Sequence, residues 1–118
     1  MNVLVIENEE FFAENICQYL KKCNRINIQF VTRAQQALNL ISEKMFDLIL
    51  TDLQLPDIED EDWLIKVGEL NPGQKIIVIS SYQIPDAVKN KARLDIVGYF
   101  EKPFDIENIS HLIEKQFH

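Results

Sequence analysis

The stretch that decides the fold is FDLILTDLQLP, residues 46–56. Leu48, Ile49 and Leu50 form an unbroken apolar run without the alternation of a half-exposed strand, which is typical of a strand covered by helices on both faces. Asp52 follows this run, so its carboxylate is predicted at the carboxyl edge of the sheet, where ligands bind in open α/β folds. Taken alone, Asp52 is equally compatible with a turn residue or a helix N-cap.

Four further apolar runs accompany this strand along the chain, and helical patterns separate them. The predicted strands are residues 2–6, 26–30, 48–50, 76–79 and 96–100, and the predicted helices cover 11–22, 32–44, 63–70, 84–92 and 106–117. This alternation predicts an α/β fold with a doubly wound, five-stranded parallel sheet and five helices. Phe11, Phe12 and Ile16 are predicted on the apolar face of the first helix, and Thr32 with Gln35 resembles a capping box at the start of the second.

The composition indicates one globular domain spanning residues 1–118, with no output domain beside it. The chain has 118 residues, 47% of them apolar, and a net charge of −7, which argues against direct binding to a nucleic-acid backbone. No signal sequence and no apolar segment of about 18 residues is present, so we expect a cytoplasmic protein without membrane insertion. Cys17 and Cys23 lack the spacing of a CxxC or metal motif and are interpreted as free thiols.

Polar side chains follow the predicted strands at the points where they end. They are Glu7 and Asn8, Asp52, Ser80, and Lys102. Because all strands of a parallel sheet end at one edge, these groups are predicted to lie together there. Neighbouring carboxylates repel each other unless a cation neutralises them, and hard oxygen ligands suit Mg²⁺. The residues therefore predict an anion and metal site. They leave open whether it only binds or whether Asp52 accepts a phosphoryl group as a nucleophile.

Four motifs together resemble those of response-regulator receiver domains of two-component signalling. They are IENEE (6–10), TDLQLPD (51–57), VISSY (78–82) and GYFEKPF (98–104), and the likeness extends over essentially the whole chain. The resemblance implies a flavodoxin-like fold of strand order 2-1-3-4-5. It also implies a Mg²⁺-dependent phospho-aspartate switch, which receives its phosphoryl group from a histidine kinase or a phosphotransfer protein. Such a domain accepts the group, and loses it again by hydrolysis, without being an independent enzyme.

The resemblance also assigns a role to each residue of the metal and acceptor site. Asp52 corresponds to the phosphorylated aspartate. Asn8 stands where the family usually has the acid that binds Mg²⁺ directly, and Glu7 matches the acid that acts through a metal-bound water. Gln54 would supply a backbone carbonyl to the metal, and the side chains of Gln54 and Tyr82 would tune hydrolysis of the acyl phosphate.

Three further residues correspond to the switch of the family. Ser80 matches the hydroxyl that follows the phosphoryl group, and Lys102 matches the lysine that pairs with it. Tyr99 matches the aromatic residue whose rotamer reports the active state. The alternative, purely structural roles are that Ser80 caps a turn, that Lys102 is a surface lysine and that Tyr99 is a static core residue. By the same resemblance, the Lys102–Pro103 bond is expected to be cis. The output surface is expected on the predicted fourth helix, fifth strand and final helix, which would bind a downstream protein or a second copy.

The sequence departs from the family pattern at two places. Asn8 replaces a carboxylate, which predicts reduced Mg²⁺ affinity together with retained phosphorylation. Asp60 replaces a common glycine within the acidic run 57–62, which is interpreted either as a solvated helix start or as an altered loop that selects partners.

Two rival functions remain beside the phosphorylation switch. A phosphorylation-independent pseudo-receiver would explain Asn8, but the retention of Asp52, Ser80 and Lys102 argues against it. A flavin-binding protein of the same topology would need a phosphate-cradling loop after the first strand, and the acidic IENEE segment does not provide one.

Overall fold

Five parallel strands form a single sheet in the predicted order, β2-β1-β3-β4-β5. In this computed structural model, residues 1–22, 26–58, 62–81, 86 and 93–117 are described. The strands are β1 (Asn2–Ile6), β2 (Asn27–Val31), β3 (Leu48–Asp52), β4 (Gln74–Ser80) and β5 (Leu94–Glu101). The doubly wound α/β fold and its strand order are confirmed.

Four helices are described, and they cover the two faces of the sheet. They are α1 (Glu10–Lys22), α2 (Ala34–Glu43), α3 (Trp63–Leu70) and α4 (Ile106–Phe117). The helix predicted over 84–92 lies outside the described residues apart from Asp86, as do Cys23 and Asp60. None of the helices in the described ranges combines the length and apolar character needed to cross a membrane.

The core has two parts, one on each face of the sheet. Alternate residues of the central strands point to opposite faces, as the strand periodicity requires. Leu4, Ile49 and Val78 belong to the part covered by α2 and α3, whereas Leu50 and Ile77 belong to the part covered by α1 and α4. Every residue of β3 is buried, so the interpretation of its apolar run as a strand covered on both faces is confirmed.

The first helix buries only part of the face that was predicted, because Ile16 is buried as expected but Phe11 is not. Its buried residues are Ala13, Ile16 and Leu20. Phe11 is 75% exposed, so its predicted place on the buried face is wrong. Its ring instead meets the ring of Phe12 edge to face, with 6.4 Å between the centroids.

The predicted capping box at the start of α2 is also wrong. The N-cap residue is Arg33, whose side chain makes no capping hydrogen bond. The backbone N–H of Thr32 donates to Oε1 of Gln36 at 3.3 Å, so Gln35 does not take the predicted role. The first free N–H groups of α2 donate instead to Asp57, in the loop after β3.

Candidate functional site at the carboxyl edge of the sheet

The parallel sheet brings the predicted polar residues to one edge. Glu7 follows β1, Asp52 and Ser80 are the last residues of β3 and β4, and Lys102 follows β5. Glu7 and Ser80 are fully buried, and Asp52 is 4% exposed. The backbone N–H of Lys102 donates to the carbonyl oxygen of Ser80 at 2.8 Å, which fixes the chain as it leaves β5. The peptide bond between Lys102 and Pro103 is cis, as expected.

The ammonium group of Lys102 joins two strands through their carboxylates. Its Nζ donates to Oδ2 of Asp52 at 2.7 Å and to Oε1 of Glu7 at 3.0 Å. It also lies 3.6 Å from Oε1 of Glu9 and 5.1 Å from the centroid of the Phe12 ring. Burial alone would lower the pKa of Lys102, but the hydrogen bonds with Asp52 and Glu7 outweigh it and raise the pKa. Lys102 is therefore a fixed positive charge, and its interpretation as a surface lysine is wrong.

Glu7 is a buried acid whose two carboxylate oxygens have different surroundings. Its Oε1 accepts from Lys102 and from the backbone N–H of Glu9, at 3.1 Å. Its buried Oε2 has no hydrogen-bond partner among the described residues. Burial, followed by the negative charge of Asp52, raises the pKa of Glu7 from 4.5 to about 7, although Glu9 and Lys102 act in the opposite direction. A positive charge close to Oε2 would relieve this cost.

Asp52 is held by the loop that follows it as well as by Lys102. Its Oδ1 accepts from the backbone N–H of Gln54 at 2.9 Å. Gln54 is exposed, and its Oε1 accepts from the hydroxyl of Ser81 at 3.3 Å. Each carboxylate oxygen of Asp52 therefore has a donor among the described residues, and the loop over it is connected to the end of β4.

The remaining predicted residues lie around this centre. Asn8 is exposed beside Glu7 at the same edge. Tyr99 lies in β5 opposite Val78 of β4, partly buried against the core under α2 and α3. Burial, together with the charge of Glu101, raises the pKa of Tyr99. Tyr82 lies outside the described residues.

Two residues of the site were not predicted as members of it. Glu9 belongs to the IENEE motif, but only the fold shows that its backbone and side chain turn toward Glu7 and Lys102. Phe12 was predicted as helix core, yet its ring lies under Lys102 and 6.0 Å from the ring of Phe104. The contacts of Glu9 and Phe12 with Lys102 join residues about ninety positions apart, so no local pattern indicates them.

Comparison with known proteins agrees with this arrangement. The family model described as the response regulator receiver domain matches residues 3–114. The chain belongs to the response-regulator receiver domain family of two-component signalling. A similar curated protein is the transcriptional regulatory protein MalR of Bacillus subtilis, 30% identical over 108 residues, which are 91% of this chain and 46% of MalR. Sporulation initiation phosphotransferase F of the same organism is 26% identical over 68% of this chain and 64% of its own.

Solved structures show the same fold. A CheY-like receiver domain protein of Methanospirillum hungatei matches with a TM-score of 0.85 and 24% identity, over 98% of this chain and 91% of its own. A response regulator of Burkholderia pseudomallei, crystallised with a phosphorylated aspartic acid and a calcium ion, matches with a TM-score of 0.75 and 24% identity, over 98% of this chain and 70% of its own. The chain spans less than half of MalR and 26% of the transcriptional regulatory protein ZraR of Escherichia coli.

Proposed function

We propose that this receiver domain is a phosphorylation switch whose acceptor is Asp52. The observation that carries the proposal is the Asp52 carboxylate at the carboxyl end of β3, 2.7 Å from the Lys102 ammonium. A phosphohistidine of a histidine kinase or phosphotransfer protein is the donor. A carboxylate oxygen of Asp52 attacks phosphorus, the phosphorus–nitrogen bond breaks, and the histidine leaves with the electron pair of that bond. The products are an acyl phosphate on Asp52 and a free histidine.

The surrounding residues stabilise charge and hold the acceptor. Lys102 carries a permanent positive charge next to the oxygen that attacks, so it offsets charge on the transferred group. Ser80 lies buried at the end of the neighbouring strand, and in this proposal its hydroxyl follows the phosphoryl group on Asp52. The backbone N–H of Gln54 orients the carboxylate through Oδ1. These groups bind and orient, and no general base for an independent hydrolase is required.

The oxygen donors of the site fit Mg²⁺ that keeps most of its water ligands. No group of three or more His, Cys, Asp or Glu side chains in the described part of the chain is arranged to hold a metal ion. The unpartnered Oε2 of Glu7, the carboxylate of Asp52, the amide oxygen of Asn8 and the backbone carbonyl of Gln54 are the hard oxygens available to it. When bound, Mg²⁺ supplies further positive charge against the phosphoryl oxygens. Because Asn8 stands where the family usually has an acid, the affinity for Mg²⁺ is lower than in a site with both acids.

Signal output is proposed on the face formed by β5 and α4. A groove of about 770 Å³ on this face is lined by Phe100, Asn108, His111, Leu112, Glu114 and Lys115. Tyr99 precedes Phe100 on β5 but packs on the other side of the sheet, against the core under α2 and α3, so a change in its rotamer after phosphorylation would reach this groove through the β5 backbone. The partner is a downstream protein or a second copy of the domain.

The proposal is tested by intact mass after incubation with acetyl phosphate and Mg²⁺. We expect the addition of one phosphoryl group, which requires Mg²⁺ and is absent from Asp52→Asn. Asp47→Asn is the matched control, because Asp47 is an exposed aspartate at the opposite end of β3 and its variant should be modified normally. If the wild type gains no mass at high Mg²⁺, or Asp52→Asn gains as much, the proposal fails. The phosphorylation-independent interaction module is then the better interpretation.

A further inference from the structure

The loop after Asp52 makes a specific contact with the start of a helix on another part of the sheet. Oδ1 of Asp57 accepts the backbone N–H of Ala34 at 2.9 Å, and Oδ2 accepts that of Gln35, also at 2.9 Å. Burial alone would raise the pKa of Asp57, but these hydrogen bonds from Gln35 and Ala34 outweigh it and lower the pKa. Both oxygens of one side chain are thus used to cap α2 from more than twenty residues away.

The helix depends on Asp57 because its own N-cap residue does not serve it. Arg33 has the extended backbone of an N-cap, with φ −133° and ψ 148°, but its side chain makes no capping hydrogen bond. Serine, threonine, asparagine or aspartate at such a position would bond to the free N–H groups locally. The chain instead obtains this cap from the loop that carries the phosphorylation site, which joins the position of that loop to α2.

Among the residues that the structure describes, the segment between Asp52 and Asp57 has few other polar contacts to define its path, one of them from the Ser81 hydroxyl to Oε1 of Gln54. Gln54 is exposed and donates its N–H to Asp52. The turn that follows is closed by a long hydrogen bond of 3.4 Å, from the N–H of Ile58 to the carbonyl oxygen of Leu55. Leu55 is buried and anchors the middle of the segment in the core. The Asp57 contact fixes its far end, so that the Gln54 backbone stays over the carboxylate of Asp52.

We propose that Asp57 is a positioning residue for phosphoryl transfer to Asp52, acting through its contact with α2. This inference rests on the proposed function of Asp52. Asp57 touches neither the acceptor nor the phosphoryl group. It holds the loop so that Gln54 keeps its N–H on Oδ1 of Asp52. Because misplacement by about 1 Å can cost as much as 100-fold in rate, loss of the contact is expected to slow phosphorylation about ten-fold.

The test separates positioning from simple helix capping by restoring only the cap. Initial rates of phosphorylation by acetyl phosphate with Mg²⁺, and urea unfolding midpoints, are measured for the wild type, Asp57→Ala, Arg33→Ser and the double variant. Asp57→Ala should lower both quantities. In the double variant the serine at position 33 caps α2 locally, so the midpoint should recover, while the rate should stay about ten-fold below that of the wild type. Arg33→Ser alone keeps Asp57 and should phosphorylate faster than the double variant.

Recovery of both the phosphorylation rate and the urea midpoint in the double variant would show that Asp57 only caps α2. An unchanged phosphorylation rate in Asp57→Ala would also overturn the proposal. If the midpoint does not recover, Ala37→Gly serves as the comparison, because it weakens α2 from within and leaves the loop untouched. Its rate should exceed that of Asp57→Ala, and equal rates at equal stability would overturn the proposal.

A second readout keeps this inference separate from the proposed function. If the wild type accepts no phosphoryl group, the proposed function fails, and positioning is judged by hydrogen exchange of the Gln54 amide. This amide should exchange about ten-fold faster in the double variant than in the wild type, because its hydrogen bond to Asp52 opens more often. Equal exchange in the two proteins would overturn the positioning role.

Discussion

Replacement of Glu7 by glutamine should make the stability of the metal-free protein less dependent on pH. Glu7 is fully buried, and its pKa in the folded protein is raised to about 7 from an ordinary value of 4.5. The folded state therefore holds a proton between these two pH values that the unfolded state has released. The stability that this bound proton contributes is fully present below pH 4.5 and is lost as the pH rises through 7. Ionised Glu7 therefore destabilises the fold at high pH.

The size of the effect follows from the difference in pKa. Each pKa unit corresponds to about 1.36 kcal/mol, so titration of Glu7 should remove roughly 2 to 3 kcal/mol of unfolding free energy between pH 5 and pH 8. Glutamine does not titrate, although its buried amide next to an unpartnered position costs about 1 to 3 kcal/mol. That cost is the same at both pH values. The difference in unfolding free energy between variant and wild type therefore changes with pH only through the titration of Glu7.

The assay is urea unfolding with EDTA present, followed by the fluorescence of Trp63. Trp63 is the single tryptophan and is 4% exposed, so unfolding transfers it to water. The unfolding free energy of Glu7→Gln minus that of the wild type should be larger at pH 8 than at pH 5, by roughly 2 to 3 kcal/mol. Glu14→Gln removes the same charge from an exposed position of α1 and should show no such change.

The reasoning would be refuted by a Glu7→Gln difference that is the same at pH 5 and pH 8. That result would mean that Glu7 is ionised throughout this range, and that Lys102 compensates its burial completely. A difference of the opposite sign would mean that the folded state favours the carboxylate, which contradicts the raised pKa.

Three other substitutions test the metal site, the packing of α3 and the buried ion cluster. Asn8→Asp should tighten Mg²⁺ binding about ten-fold in a calorimetric titration because it adds a ligand charge. Asn15→Asp, at an exposed position of α1, should leave the affinity unchanged. Equal Mg²⁺ affinities of Asn8→Asp and the wild type would contradict the role of position 8. Gly68→Ala should lower the unfolding free energy by roughly 1 to 3 kcal/mol, because an added Cβ would lie 2.7 Å from the backbone nitrogen of Arg93, and increased stability in urea would contradict it. Lys102→Met should cost about 3 kcal/mol at pH 8, because it leaves two buried carboxylates without their cation, and an unchanged urea midpoint would show that the cluster contributes nothing.

Much of the fold was predictable because its strands carry the signal of burial on both faces. β3 has no alternation, and the structure buries all of it. The start of β4 was missed because Gln74 is polar. It is nevertheless buried, and its side-chain N–H groups donate to the carbonyl oxygens of Phe46 and Lys75. A polar residue whose donors are satisfied by neighbouring backbone can begin a buried strand, and a hydropathy pattern does not show this.

The errors at α1 and α2 have a different cause. Helical spacing places Phe11 near the apolar stripe, but it lies in the first turn of α1 and its side chain is exposed there. A capping box is defined by residues three apart, whereas the actual cap of α2 is Asp57. The acidic run was interpreted as the start of the next helix. Its last residue, Asp62, is the N-cap residue of α3, whereas its first residue, Asp57, caps α2.

The geometry of the site also distinguishes between two acids that the sequence places at the same edge. Glu7 and Asp52 both contact Lys102, so proximity to the cation does not select the acceptor. Glu7 has no exposed surface, and its pKa near 7 leaves it partly protonated in neutral solution, which weakens it as a nucleophile. The Asp52 side chain keeps 6% of its surface exposed, and a backbone N–H at the exposed Gln54 holds its second oxygen. Access from solvent and orientation by the loop thus support the proposal that Asp52, rather than Glu7, is the acceptor.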